Sequence, residues 1–171
     1  MSTLTIHLFG GFQLTYNGNP LTTIAQTRQQ SLLAYLLLHR QKPQSRQHLA
    51  FLFWPDSSEV QAQSNLRKSL HRLRQALLEA DQFLGSDATT VRWQPTAPFV
   101  LDVAEFEQAG DLSKLRATLT QAVDLYAGDL PPEWYGDWIL PQRERLRERF
   151  LCRGRRSLRQ SAARHERRFG R

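Results

Sequence analysis

The sequence predicts an α+β fold in which a small antiparallel sheet is followed by three helices, a β-hairpin and then further helices. Alternating apolar residues at the start indicate strands, and a long amphipathic run between Gln61 and Leu78 indicates a helix on a core. A second pair of alternating segments, after residue 89, indicates a hairpin. The chain has 171 residues and is 40% hydrophobic, which suffices for one medium core or two small ones.

The first segment has the pattern of short strands. Apolar residues alternate with polar ones from residue 4 to residue 8, and Gly10-Gly11 turns the chain into a second strand at residues 12–16. Asn17-Gly18 is a strong hairpin turn. Residues 21–24 are predicted to form a third short strand.

Two helices are predicted next. Thr27 is expected to cap the first helix in a capping box with Gln30, and the apolar run at residues 32–38 must be largely buried. Pro43 stops this helix. Ser45 is expected to cap a short second helix with an apolar inner face.

The third helix is predicted to begin near Ser58 or Glu59 and to run to about Ala80. At 100° per residue its apolar side chains fall within about 60° of one another. These are Ala62, Leu66, Leu70, Leu73 and Leu77. The remaining surface is basic or polar, with no acidic residue between Gln61 and Leu78. Its candidate site residues are Gln61, Ser64, Asn65, Arg67, Lys68, His71, Arg72 and Gln75.

This polar face favours nucleic acid as a ligand. Arg and Lys contact phosphates, while Asn, Gln and Arg form paired hydrogen bonds with base edges in the major groove. The alternative is an ordinary solvated helix face. Solvated helices usually mix charges of both signs, however, and this run lacks any Asp or Glu.

Residues 90–94 and 99–103 are predicted to be the two strands of a hairpin, joined by a turn at residues 95–98. Sheet, three helices and hairpin form the order of a winged helix-turn-helix. In that fold the third helix enters the major groove. Four further residues, in the second helix and the hairpin, are then expected to grip the flanking backbone. They are Arg46, Gln47, Arg92 and Gln94.

Charge is strongly segregated along the chain, although the formal net charge at pH 7 is +7. Residues 1–80 carry eight Lys or Arg and three Asp or Glu, residues 81–142 carry three and ten, and residues 143–171 carry twelve and three. We therefore expect the first segment, not the acidic second one, to attract a polyanion. The Arg-rich tail is interpreted as a solvated helix, with nonspecific DNA affinity as the alternative.

Five motifs follow one another in an order known from one family. They are GGFQLTYNGNPLT, RQQSLLAYLLLH, SRQHLAFLFWPD, SNLRKSLHRLRQAL and FVLDVAEFE. This series resembles the Streptomyces antibiotic regulatory protein family over nearly the whole chain. The resemblance implies an OmpR-type winged-helix DNA-binding domain at residues 1–103. It also implies an incomplete, all-helical bacterial transcriptional activator domain, built like tetratricopeptide repeats, at residues 104–171.

Further residues resemble hallmarks of that activator domain. They are Asp102, Phe106, Glu107, Ala122, Leu125, Tyr126, Gly128, Leu130, Trp138, Glu144, Arg145 and Leu146. The resemblance implies sequence-specific regulation of transcription by an activator that recruits RNA polymerase, with homodimers on direct repeats as a further option. It places polymerase contacts in the loop after the second helix, at Trp54, Pro55, Asp56 and Ser57.

The chain also departs from many relatives. Ala97-Pro98-Phe99 stands where they carry a Gly-Tyr pair that closes the wing, as in longer members of the family. The sequence ends at Arg171, where further helices would follow, so we expect a fragment or a truncated gene product.

Little in the sequence indicates catalysis. Cys152 is the single cysteine, the five histidines show no metal-ligand spacing, and no GxGxxG or Walker motif is present. We therefore expect a binding protein without cofactor or metal. No apolar run is long enough to span a membrane and no signal peptide is recognisable, so cytoplasmic residence is expected. The alternative function is a protein-interaction adaptor whose winged helix does not bind specific DNA.

Overall fold

Two small sheets and six helices make up the part of the chain that the computed structural model describes. It describes residues 3–109 and 125–169, with the backbone alone for residue 109 and residues 155–169. The strands are β1 (Leu4–His7), β2 (Gln13–Tyr16), β3 (Asn19–Pro20), β4 (Gln44–Ser45), β5 (Leu84–Ser86), β6 (Thr90–Trp93) and β7 (Phe99–Leu101). The helices are α1 (Thr27–Leu38), α2 (Arg46–Phe53), α3 (Glu59–Ala76), α4 (Ala80–Phe83), α5 (Asp102–Ala109) and α6 (Ile139–Phe169). The predicted mixture of α and β structure is confirmed.

The first sheet has the strand order β3-β2-β1-β7, and its inner face is apolar because residues such as Leu4 and Ile6 alternate with polar ones. The prediction of a third strand at residues 21–24 is wrong. Asn17 and Gly18 have positive φ angles of 50° and 81°, so the chain reverses at once and β3 pairs with the end of β2.

β7 joins this sheet by pairing parallel with β1, in the register that sets Leu4 beside Phe99. The prediction that residues 99–103 pair with residues 90–94 is therefore wrong. Both edges of β6 are already occupied, by β4 and by β5. Beside β1, by contrast, Leu101 buries its side chain in the core and remains only 1% exposed.

α1 and α2 contribute much of the core, and residues 32–37 of α1 are buried. The prediction that Thr27 caps α1 is wrong. The N-cap is Gln26, whose carbonyl accepts the first helical hydrogen bonds, and Thr27 lies inside the first turn. Ser45 caps α2 as predicted, because its Oγ accepts a hydrogen bond from the His48 N–H at 3.3 Å.

α3 buries its predicted apolar stripe completely. This confirms the positions of Ala62, Leu66, Leu70, Leu73 and Leu77. Ser58 caps the helix by accepting a hydrogen bond from the Gln61 N–H at 3.4 Å. The predicted end near residue 80 is wrong, because Leu77 is extended and Glu79 has a left-handed φ of 55°. The short helix α4 follows.

The second sheet has the order β4-β6-β5, and its β5–β6 hairpin follows directly after α4. β5 was not predicted from the sequence, because its three residues include a glycine and show no alternation of apolar and polar side chains. β6 follows the predicted pattern, with Val91 and Trp93 buried and Arg92 exposed. The true hairpin therefore lies one strand earlier in the chain than predicted.

The carboxy-terminal elements pack against the first sheet and α1 through aromatic rings. These elements are α5 and residues 125–138, and α6 joins them through the stacked rings of Phe150 and Tyr126. The ring pairs, with their centroid separations, are Phe106–Phe9 (5.3 Å), Trp134–Phe12 (5.9 Å) and Trp138–Tyr35 (5.2 Å). Edge-to-face pairs of this kind add to the stability that burial alone provides.

Asp102 ties α5 to the first sheet. It is 3% exposed, and its Oδ2 accepts hydrogen bonds from the N–H groups of Leu8 at 2.8 Å and Phe9 at 3.0 Å. Its Oδ1 accepts a third from the Val103 N–H. Burial raises the pKa of this carboxyl group, although the three hydrogen bonds oppose the shift.

Glu107 of α5 forms ion pairs with α6 and with the segment that follows α1. Its carboxylate lies 2.5 Å from Arg145 and 3.8 Å from Arg149 of α6, and 3.6 Å from Arg40, which follows α1. Because Glu107 is about one-fifth exposed, these pairs are less screened than surface pairs. Glu107 and Arg145, which resemble hallmarks of the activator domain, are thus direct partners.

The Arg-rich tail is helical, as predicted, since α6 continues to Phe169. The motif residue Ala122 lies outside the described residues. Within the described part of the chain, none of the helices combines the length and the apolar character needed to cross a membrane.

Candidate nucleic-acid interface

The polar face of α3 is available to a ligand. Burial of the stripe against the core turns the opposite side of the helix outward. Six of the eight predicted site residues of α3 are exposed, namely Gln61, Arg67, Lys68, His71, Arg72 and Gln75. The other two, Ser64 and Asn65, are half-buried. The structure thus brings all eight onto one helix outside its apolar stripe.

Amide groups at the start of this face are paired with each other. Gln61 Nε2 donates a hydrogen bond to Asn65 Oδ1 at 3.0 Å, one helical turn away. Among the residues that the structure describes, the Gln61 oxygen and the Asn65 amino group have no other partner, so they can face a base or a phosphate.

One edge of the face is joined to the hairpin by Arg74. Its guanidinium donates to Ser86 Oγ at 3.0 Å and to the Leu84 carbonyl at 3.1 Å, and it forms an ion pair with Asp81 at 2.9 Å. Arg74 is not among the site residues that the sequence predicted. No sequence signal reveals its link to the hairpin, because both hairpin partners lie in the strand that was not predicted.

The other edge approaches the residues that precede α1. Arg72 Nη1 donates to Gln26 Oε1 at 3.3 Å, and Thr23 Oγ1 donates to the Ala76 carbonyl at 3.1 Å. Arg72 therefore lies on the side of α3 away from the hairpin. Its single, long hydrogen bond between exposed groups is easily exchanged for one to a ligand.

A cleft of about 540 Å³ separates α3 from the hairpin, and we call it the hairpin cleft. It is lined by Ser45, Arg46, Gln47, Glu59, Gln63, Leu66, Arg67, Asp87, Ala88 and Thr89. The cleft brings together three of the predicted site residues, which come from the first turn of α2 and from the middle of α3.

Glu59, in the first turn of α3, is one of two acidic residues that line this cleft, together with Asp87. Its Oε1 accepts hydrogen bonds from Gln47 Nε2 at 3.1 Å and from Gln63 Nε2 at 3.2 Å. A carboxylate in the first turn of a helix is also stabilised by the helix dipole. Gln47 is therefore held in place by Glu59, a contact that the sequence did not predict.

Asp87 organises the turn of the hairpin. Hydrogen bonds from the hydroxyl group of Thr90, and from the N–H and hydroxyl groups of Thr89, hold the pKa of this carboxyl group well below its usual range. Arg46 fixes the same turn to α2, since its N–H donates to the Thr89 carbonyl at 2.8 Å and its side chain to the Asp87 carbonyl at 3.3 Å. The tip of the hairpin is therefore preformed.

The two predicted hairpin residues differ in availability. Arg92 is exposed on β6, whereas Gln94 is half-buried just beyond the strand. Gln94 Nε2 lies 2.7 Å from the position that a Cβ atom would take at Gly85, so glycine is what admits this side chain. Arg92 is the better placed of the two for a ligand.

The loop between α2 and α3 contains the four predicted polymerase contacts. The Trp54 ring is only 8% exposed, and the Arg28 guanidinium lies 5.6 Å from its centre. Pro55 and Asp56 are exposed and Ser57 is half-buried. The surface that this loop offers to a partner is therefore formed mainly by Pro55 and Asp56.

Comparison with known proteins supports the fold. No family model and no curated protein matches the sequence. Among solved structures, EmbR of Mycobacterium tuberculosis, in complex with a low-affinity phosphopeptide, matches with a TM-score of 0.75 and 17% identity. The match covers 92% of this chain and 45% of EmbR, so the chain spans less than half the length of that protein. The likeness supports the fold that the family resemblance implies.

Proposed function

We propose that this protein is a sequence-specific DNA-binding regulator of transcription whose first part is a winged helix-turn-helix. The observation that carries the proposal is the exposed face of α3 from Gln61 to Gln75, which has no acidic residue and is flanked by a preformed hairpin. Such a helix fits the major groove, while a hairpin beside it reaches the neighbouring backbone.

The roles of individual residues follow from their places. Lys68, His71 and Gln75 occupy the middle of the exposed face and are proposed to contact bases or phosphates, together with Gln61, Ser64 and Asn65. Arg72 is proposed to read one base pair, because a guanidinium pairs with guanine through two hydrogen bonds. Backbone phosphates would then be held by Arg46, Gln47, Arg67, Arg92 and Gln94.

The charge distribution supports the same division of roles. Residues 1–80 have a net charge of +5 and residues 81–142 of −7. The acidic segment as a whole repels a polyanion, so most DNA contacts are proposed in the basic first segment, and Arg92 and Gln94 of the hairpin are the contacts proposed in the second. Because phosphate contacts release counterions, binding is expected to weaken steeply as salt rises.

We also propose that the protein activates transcription by recruiting RNA polymerase through the loop at Pro55 and Asp56. The carboxy-terminal elements would be part of a tetratricopeptide-like activator domain at residues 104–171. The protein would bind direct repeats in DNA as a homodimer. We assign no catalytic activity and no cofactor, and place the protein in the cytoplasm. The solved complex of EmbR with a phosphopeptide concerns that protein, and we extend from it only the idea of a protein partner.

Selection of bound sequences from random double-stranded DNA tests the proposal. The purified chain is expected to enrich one short motif, and Arg72→Ala is expected to enrich a motif with one position relaxed. A direct repeat in the enriched motif would support homodimers. Failure of the wild-type chain to enrich any motif would favour the adaptor function instead.

A further inference from the structure

A second cleft lies on the side of the protein formed by α1, the end of α2 and residues 133–136. Its volume is about 550 Å³. We call it the Tyr135 cleft, and the residues that matter here are Ser31, Leu52, Pro55, Asp56, Glu133 and Tyr135. It contains none of the proposed DNA contacts.

The walls of the Tyr135 cleft are largely apolar, and one of them is an exposed ring. The Tyr135 side chain is 84% exposed, while Leu52 is half-buried and Pro55 exposed. The rings of Phe53 and Trp134 line the same cleft but are buried, at 8% and 1% exposure. Exposed tyrosine beside apolar side chains is typical of surfaces that bind other proteins.

The wall that carries Tyr135 is held in position. The guanidinium of Arg143 donates hydrogen bonds to the carbonyl groups of Leu130 at 3.3 Å, of Trp134 at 3.1 Å and of Pro131. These bonds fix the turn directly before Tyr135. A preformed wall lowers the entropy lost when a partner binds.

Ser31 adds an unpartnered polar atom to the cleft. The residue is 4% exposed, and its Oγ has no hydrogen-bond partner among the residues that the structure describes. Buried hydroxyl groups normally have partners. Because this oxygen is itself buried, Ser31 forms part of the cleft wall rather than a contact for the guest.

The charged groups of the cleft favour a basic guest. They are Asp56, Glu133 and Arg28, so carboxylates outnumber guanidinium groups by two to one. Within the described ranges neither carboxylate is in an ion pair, whereas Arg28 lies over the Trp54 ring. Opposite charges steer a partner to such a rim and fix its orientation.

We propose that the Tyr135 cleft docks a short segment of a partner protein in which an apolar side chain stands next to Lys or Arg. The apolar side chain would pack against Tyr135 and Pro55, and the basic one would face Glu133 and Asp56. The inference rests on the proposed role of the loop at Pro55 and Asp56 in binding a protein partner. It adds the wall formed by Glu133 and Tyr135, and the chemistry of the partner segment.

A displayed library of random peptides, selected on the full chain, tests this. Enriched peptides are expected to combine an aliphatic or aromatic residue with Lys or Arg. Tyr135→Ala and Glu133→Lys are both at exposed positions. Each is expected to lower the affinity for a synthetic copy of an enriched peptide by about tenfold or more. Leu140→Ala is the matched control, because Leu140 is also an exposed apolar residue, at 61%, but does not line the cleft.

Four outcomes would overturn the proposal. They are no enrichment, enrichment of acidic peptides, equal binding by Tyr135→Ala and wild type, or self-association of the wild-type chain that Tyr135→Ala abolishes. DNA titration of the same variants separates this test from the DNA-binding proposal. Tyr135→Ala is expected to bind DNA as the wild type does. If the wild-type chain binds the peptide but does not bind DNA, only the DNA-binding proposal is contradicted.

Discussion

Arg74 Nη2 donates a hydrogen bond to Ser86 Oγ at 3.0 Å, which ties the last turn of α3 to the first strand of the hairpin. The same nitrogen donates to the carbonyl of Leu84, two residues earlier in that strand. Because α3 and the hairpin are fixed to each other, the proposed contact of α3 with the major groove and that of the hairpin with the DNA backbone are held at a constant separation. Arg74 is therefore a positioning residue for the proposed interface rather than a direct DNA contact.

Arg74→Ala is expected to loosen the hairpin. The change removes hydrogen bonds from a half-buried guanidinium and should cost about 1–3 kcal/mol of folding stability. Amide hydrogen exchange in β5 and β6 should accelerate, and DNA affinity should fall. Arg92→Ala is the control for hydrogen exchange, because it removes one positive charge from the hairpin and leaves the link to α3 intact. Its DNA affinity is also expected to fall, since Arg92 is itself a proposed phosphate contact. Unchanged exchange in Arg74→Ala would rule out the positioning role.

Lys68→Ala is expected to weaken binding to all DNA sequences by a similar factor. Lys68 is exposed on the outer face of α3 and is expected to neutralise one phosphate. The slope of log affinity against log salt should therefore become shallower by about 1. Titrations at several salt concentrations, on a selected site and on an unrelated duplex, measure this. A slope equal to that of the wild type would contradict the phosphate contact.

Gly10→Ala is expected to destabilise the protein, whereas Gly11→Ala should not. Gly10 has a φ of +72°, and a Cβ there would lie 3.0 Å from the Ala127 carbonyl oxygen, whereas a Cβ at Gly11 meets nothing within 4 Å. The left-handed backbone alone costs an alanine about 1–2 kcal/mol. Urea denaturation of the two variants measures the difference, and equal midpoints would contradict the close packing of Gly10 against Ala127.

Asp102→Asn is expected to change how stability depends on pH. Burial raises the pKa of Asp102, so the folded state holds this proton more tightly than the unfolded chain does. The contribution of Asp102 is most favourable below the ordinary Asp pKa of about 4 and is lost as pH rises through the raised pKa.

Urea titrations of wild type and Asp102→Asn at a series of pH values isolate this effect, since other carboxyl groups are common to both chains. The variant loses one acceptor for the backbone N–H groups, which lowers its stability by a constant amount. The stability of the wild type relative to the variant should fall as pH rises. A pH-independent difference would show that the buried carboxyl group has an ordinary pKa.

The sequence predicted the features that depend on neighbouring residues. The stripe of α3, its start near Ser58 and the cap at Ser45 follow from helical spacing and from side chains that reach three residues along the chain, whereas the local prediction of a cap at Thr27 is wrong. Strand pairing was predicted less well, because it joins residues far apart. β7 pairs with β1 across more than ninety residues, and nothing local distinguishes that partner from β6.

The candidate site shows the same limit. The exposed residues of α3 follow from its amphipathic pattern, whereas the function of Arg74 depends on a strand too short and irregular to be recognised. Gln47 was expected at the interface, but its partner Glu59 could be found only once α2 and α3 were packed together. Local chemistry was therefore readable from the sequence, and the contacts between elements were not.

Titration of wild type and Arg72→Ala against the selected DNA site, and against variants of that site with single base-pair changes, tests the central claim most directly. Arg72→Ala should lose about 1–3 kcal/mol on the selected site, a loss of roughly five- to 150-fold, and should no longer distinguish the bases at one position. Equal affinity and equal base preference for the two proteins would contradict the assignment of α3 as the helix that reads DNA.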